Sequence, residues 1–166
     1  LMTHFEKDVS WAHGEARRRL AGRRSKDRLL DWAQKYLGEH FALPPSSMHR
    51  WMAGRLDLLA GRRGTKLNVL GPRGAAKSTL GTLAYPLRAA LEAAEPYIWI
   101  VSDTRDQARA HLTNLKNELI ENGRLARDYP TAAGQGPVWR AGSIVLGNGV
   151  SIEAFGTGQR LRGRRF

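Results

Sequence analysis

"LNVLGPRGAAKSTLGTLAYP" (residues 67–86) is the stretch that decides how this chain is read. An apolar run from Leu67 to Leu70 leads into small and basic residues, then into a stretch rich in Ala and Leu, which is the order strand, loop, helix. The loop departs by one residue from the phosphate-binding pattern G-x-x-x-x-G-K-[ST], because Ala76 stands where the second glycine belongs. Loops of this kind work because consecutive backbone N–H groups and the amino end of a helix converge on anionic oxygens. The lysine reaches the terminal phosphates and the hydroxyl after it ligates magnesium. Here Gly71 closes the strand, Pro72, Arg73, Gly74, Ala75 and Ala76 form the loop, Lys77 and Ser78 open the helix, and Thr79 follows. A methyl group at position 76 fits that geometry if its φ stays negative. Arg73 reads in two ways: a solvated surface charge, or a cation near the β- and γ-oxygens that stabilises transition-state charge. The competing reading of the whole loop is a glycine-rich turn that merely resembles a phosphate site.

Downstream, "YIWIVSD" (97–103) is a continuous apolar run of the kind buried in a parallel sheet. "TRDQARAHLTNLKNELIENG" (104–123) places Ala108, Leu112, Leu115 and Leu119 on one helical face, with Gly123 as terminator. Strand, helix, strand, helix predicts an α/β fold with a parallel sheet and right-handed crossovers. The segment "SIVLGNGVSIEAF" (143–155) carries two β-prone runs about Asn148-Gly149, a hairpin signal. Upstream, Leu29, Trp32, Ala33, Tyr36 and Leu37 share a helical face that Gly38 ends. A second helix, about 47–60, follows Pro44-Pro45 with Ser46 or Ser47 as N-cap, and its face holds Met48, Trp51, Met52, Leu56 and Leu59. The loop helix is expected to run from Lys77 to about Ala94, kinked or interrupted at Pro86. Three regions result: a basic arm over 1–28, a helical lead-in over 29–62, and an α/β unit over 63–166.

The 166 residues and 42% hydrophobic content suit one modest domain. A net charge of +12 and a pI near 11.0 point to a polyanionic partner, most simply nucleic acid, against the alternative of a merely basic surface. Cysteine is absent, which excludes disulfides, thiolate zinc and cysteine nucleophiles. The histidines at 4, 13, 40, 49 and 111 lack the close spacing of a metal site. No apolar run approaches the roughly 18 residues of a membrane span, so the chain reads as soluble and intracellular. Hydrolysis of a nucleotide further requires a carboxylate for magnesium and another to polarise water. Asp103 is the available candidate, and its other reading is that Ser102 or Asp103 caps the helix beginning near Thr104. No later stretch offers an apolar run ending in Asp-Glu.

Taken together, "GPRGAAKSTL", "IWIVSDTRDQA", "NELIENGRLARDYP", "VWRAGSIVLGNGVSIEAFGTGQ" and "RLRGRRF" resemble, in that order, the ATPase domain of tailed-phage terminase large subunits, over about residues 29–166. The resemblance implies a P-loop NTPase-type, ASCE-like parallel sheet flanked by helices, here incomplete. It implies ATP and Mg²⁺ as cofactors, Lys77 on phosphate, Ser78 on the metal, and Arg73 as an arginine finger in cis. "LPPSSMHRW" takes the place of an adenine-contacting segment, with Pro44 and His49 as candidates beside their plain reading as loop proline and surface histidine. Arg160, Arg162, Arg164 and Arg165 are candidates for sensing nucleotide or touching DNA, or form a basic exposed loop. The family's Walker B strand and nuclease domain are expected beyond Phe166, so this piece is expected to bind ATP without efficient hydrolysis. Double-stranded DNA, the terminase small subunit, the portal and a homo-oligomer follow as partners, and the host cytoplasm as location. The alternatives are a P-loop phosphotransferase, which leaves +12 unexplained, and a non-hydrolysing nucleic-acid-binding protein with a degenerate loop.

Overall fold

The computed structural model describes residues 27–59, 62 and 64–158. The basic arm before Asp27 and the arginines at 160, 162, 164 and 165 lie outside the described residues. The elements in chain order are α1 (Leu29–Tyr36), α2 (Ser47–Leu59), a π-helical segment (Thr79–Ala84) running into α3 (Tyr85–Leu91), β1 (Tyr97–Ser102), α4 (Arg105–Glu121), α5 (Gly123–Asp128), β2 (Val138–Trp139), β3 (Ser143–Val145) and β4 (Ser151–Gly156). This is an α/β arrangement around one four-stranded sheet of order β1-β4-β3-β2.

The sheet is mixed, where the sequence led to a parallel one. β1 and β4 run parallel with Tyr97 opposite Ser151, whereas β3 pairs antiparallel with both β4 and β2. The hairpin supplies the antiparallel half: the turn between β3 and β4 closes through Leu146 N–H to the Val150 carbonyl at 2.9 Å, with Gly149 at φ 84°. The run Leu67–Leu70, expected as a strand, is extended but pairs with no strand among the described residues. It keeps the alternation of a strand all the same, with Leu67 and Val69 half-buried against the core and Asn68 and Leu70 exposed.

α4 covers one face of the sheet. Its buried residues Ala108, Leu112, Leu115 and Leu119 recur at three- and four-residue spacing and form one core with Ile100, Ile144, Ile152 and Ala154. Its N-cap is Thr104, whose side chain accepts from Gln107 N–H at 3.2 Å, so neither Ser102 nor Asp103 caps it; the Ser102 hydroxyl donates to Gln107 Oε1 instead. Gly123 opens α5 as well as following α4, because the Asn122 side chain accepts from Arg124 and Leu125 N–H. The helix after the loop does not break at Pro86. Proline lacks the N–H that would bond the Thr82 carbonyl, and its ring would crowd that carbonyl. The preceding turn widens to π geometry, with Tyr85 N–H bonding the Leu80 carbonyl, five residues back.

α1 is held almost entirely by tertiary contacts. Leu29, Trp32 and Ala33 are fully buried, and Trp32 Nε1 donates to the Tyr129 hydroxyl at 2.9 Å. Arg28 supplies no cap, and Asp57 of α2 takes that role from outside the helix, accepting from Leu29 N–H at 3.1 and 3.2 Å. The lead-in and the α/β unit therefore share one core. Beside it, the Arg127 guanidinium, then the Tyr36 hydroxyl, hold the Asp128 carboxyl down at about 2, while burial, aided by Asp128, pushes the Tyr36 phenol up to about 12.

Asp57→Ala removes an N-cap and is expected to cost about 1 kcal/mol of folding stability in urea denaturation. The lowered Asp128 value means that its carboxylate favours the fold above the ordinary carboxyl range, an effect lost as pH falls from about 3.8 towards about 2. Stability curves of the wild type and Asp128→Asn should therefore converge on acidification through that window.

Candidate functional site

The loop from Gly71 to Ala76 joins the extended run Leu67–Leu70 to the continuous helical stretch 77–91. Gly71, Pro72, Arg73, Gly74, Ala76 and Ser78 are exposed, and Ala75, Lys77 and Thr79 are half-buried. Gly74 lies at φ 79° and Ala76 at φ 48°. The condition under which alanine fits at 76, a negative φ, is not met: the backbone there has the positive φ that favours glycine, and alanine adopts it at a steric cost of roughly 1–2 kcal/mol. Left-handed residues interleaved with right-handed ones turn successive N–H groups toward a common side, the backbone form of an anion-binding concavity.

Lys77 is already committed to this loop. Its Nζ donates to the Gly71 carbonyl at 2.8 Å and to the Pro72 carbonyl. An ammonium has three N–H donors, so one remains for an anion. The lysine stem passes over Gly71, where a Cβ would stand 3.2 Å from Lys77 Cδ and 3.5 Å from Met48 Sδ. A Cβ at 71 would press on the Lys77 stem by a few tenths of an ångström and would touch Met48 at ordinary contact distance. One turn further along α2, Met52 Cε would lie 2.9 Å from a Cβ at Gly81. Two methionines four residues apart thus rest on two glycines, one in the loop and one in its helix. Sequence reading had placed Met48 and Met52 on the core face without seeing that they back the loop; their i, i+4 spacing opposite Gly71 and Gly81 was the available signal.

The helix opens in a 3₁₀-like turn, Thr79 N–H to the Ala76 carbonyl at 3.1 Å. Ser78 makes no side-chain cap, and its carbonyl accepts from the Thr82 hydroxyl at 2.7 Å. Of the adenine-segment candidates, Pro44 is exposed in the loop before α2. His49 is used locally: Ser46 N–H donates to its Nδ1 at 3.2 Å and the Ser46 hydroxyl lies 2.9 Å from the same nitrogen. This reciprocal cap of α2 leaves the first turn, with Met48, fixed against the loop. Asp103 is exposed at the end of β1, with its carbonyl accepting from Thr157 Oγ1 at 3.1 Å. Among the described residues no group of three or more His, Asp or Glu can hold a metal ion. A groove of about 1100 Å³ runs beside the outer edge of β1, walled by Thr65, Thr82, Tyr85 and Trp99; it flanks the helix and does not include loop residues 71–79.

The chain matches no protein family, no curated protein and no solved structure. No helix of the described residues is long and apolar enough to cross a membrane.

The backbone at 76 gives a direct test. Ala76→Gly is expected to raise folding stability by about 1 kcal/mol through relief of the left-handed alanine, while Ala75→Gly, where φ is not positive, lowers it by about 0.5–1 kcal/mol; denaturant midpoints separate the two.

Proposed function

We propose that this chain is the ATP-binding part of a viral DNA-packaging motor of the terminase large-subunit type. The observation that carries the nucleotide reading is Lys77, poised by the Gly71 and Pro72 carbonyls over a loop with left-handed residues at 74 and 76. In this reading the loop N–H groups and the remaining Lys77 donor bind the β- and γ-phosphates of ATP. Ser78 supplies a hydroxyl to Mg²⁺, which neutralises phosphate charge when bound. Arg73, exposed in the loop, is the cation for charge that develops as the γ-phosphoryl departs. The packaging role rests on the order of the terminase-like segments and on the charge of +12, which suits double-stranded DNA. The small subunit, the portal and further copies of the chain are the partners this role requires, and the host cytoplasm its site.

A second reading, a non-hydrolysing nucleic-acid-binding protein with a degenerate loop, is favoured by Ala76, an alanine held at φ 48° where the phosphate-binding pattern has glycine. The two separate on ATP. Calorimetric titration should give MgATP binding that Lys77→Ala weakens at least tenfold, with Arg73→Ala changing it only a few-fold and turnover far below that of a complete motor. Salt-sensitive DNA binding with no MgATP binding at all would select the second reading.

A further inference from the structure

The outer surface of α2 departs from the sequence pattern at one informative residue. Trp51 was expected on the apolar face with Met48, Met52, Leu56 and Leu59, yet it is 48% exposed, and Leu58, two turns on, is 54% exposed. Between them on the same face lies Gly54, where an added Cβ would meet nothing within 4 Å. Glycine is the least favourable residue in a helix interior apart from proline, and packing among the described residues gives no reason for it here. Arg50 and Arg55 are exposed on this face, and the Arg55 guanidinium lies over the Trp51 ring at 5.8 Å from its centroid. Asp57, the carboxylate of α2, falls seven residues after Arg50 on the same edge of this face, and it is taken up by Leu29 N–H and Arg88.

We propose that this face, built of Arg50, Trp51, Gly54, Arg55 and Leu58, is a docking surface for an acidic amphipathic helix of a partner protein. Trp and Arg are the residue types that dominate binding energy when desolvated, and here they are stacked before any partner arrives. Gly54 forms a notch between two apolar projections, which lets a second helix approach closely, and the two arginines select carboxylates on its flanks. A two-fold contact with a second copy would set arginine against arginine. A phosphate backbone would use the arginines but has no need of Trp51, Leu58 or a notch. This surface uses none of the residues that back the loop and does not depend on the nucleotide reading.

The test is to pan a displayed library of 20-residue peptides on the full chain and, in parallel, on Gly54→Leu. Sequences enriched on the wild type should combine Asp or Glu with apolar residues at i, i+3 or i+4, and i+7. A synthetic peptide from that set should bind at least tenfold more weakly to Gly54→Leu and to Arg55→Glu. Gly54→Leu should melt no lower than the wild type, because leucine is the better helix former, so the loss cannot come from unfolding. The proposal is overturned if enrichment does not depend on the face or if the enriched peptides are basic or patternless. It is equally overturned if the two substitutions alter only the binding of a DNA duplex, the binding of phosphatidylglycerol vesicles, or self-association in sedimentation.

Discussion

The guanidinium of Arg88 is the junction on which the remaining architecture depends. It lies in α3 with only 13% of its side chain exposed, bonded to Glu92 at 3.0 Å, 3.6 Å from Asp57, and donating to the Asp27 carbonyl at 2.8 Å. Glu92, 4% exposed, is in turn 3.5 Å from the Tyr129 hydroxyl that receives the Trp32 indole. Asp57 caps α1. One cation therefore ties the helix that follows the 71–76 loop to α1, to α2 and to the segment after α5. Removing either member of a pair this buried strands a charge in a poorly hydrated place, and that penalty exceeds what the pair itself contributes. Two residues further on, Asn148 holds the same end of the helix, its side-chain amide donating to the Ala90 carbonyl at 2.8 Å and linking it to the β3–β4 turn. The C-terminal end of the loop helix is thus anchored by side chains distant in sequence.

Against that scaffold the loop receives hydrogen bonds from Lys77 and Thr79 in its own helix, while α2 meets it by van der Waals contact. Met48 and Met52 fill the space that glycines leave open, and thioether side chains conform to an irregular surface at little cost. The Ser46–His49 cap fixes where α2 begins and so where Met48 falls. The lead-in helix is in this sense part of the loop's support, although its sequence carries no phosphate-binding motif.

What the sequence made legible was whatever depends on local periodicity. The buried faces of α1 and α4 follow from Leu29–Trp32–Tyr36 and Ala108–Leu112–Leu115–Leu119, because spacing alone puts those residues on one side. The capping of α4 by Thr104 was within one residue of legible; three adjacent polar residues can each serve, and only backbone geometry selects among them. Other features depend on partners far along the chain and leave no local trace. Asp57 capping α1, Arg88 as hub and Met48 on Gly71 are of this kind. So is the unpaired state of Leu67–Leu70: its alternation is that of a strand, but pairing is decided by the neighbour. At the candidate site the residue types were legible and the conformation was not, since the left-handed Ala76 is invisible to a pattern that records only which side chain is present.

The parallel pairing of β1 with β4 has a consequence in time. Tyr97 and Ser151 are about 50 residues apart, whereas Val145 and Ser151 across the hairpin are about 6 apart, so bringing β1 to the sheet costs roughly 2 kcal/mol more in loop-closure entropy. Long-range parallel contacts form late for this reason. The β3–β4 hairpin is therefore expected to assemble first, with β1 joining once α4 has collapsed onto β4. Because the loop helix leads directly into β1 and is pinned by the hairpin turn through Asn148, the helix that carries the 71–76 loop acquires its rigid backing only in that last step of folding.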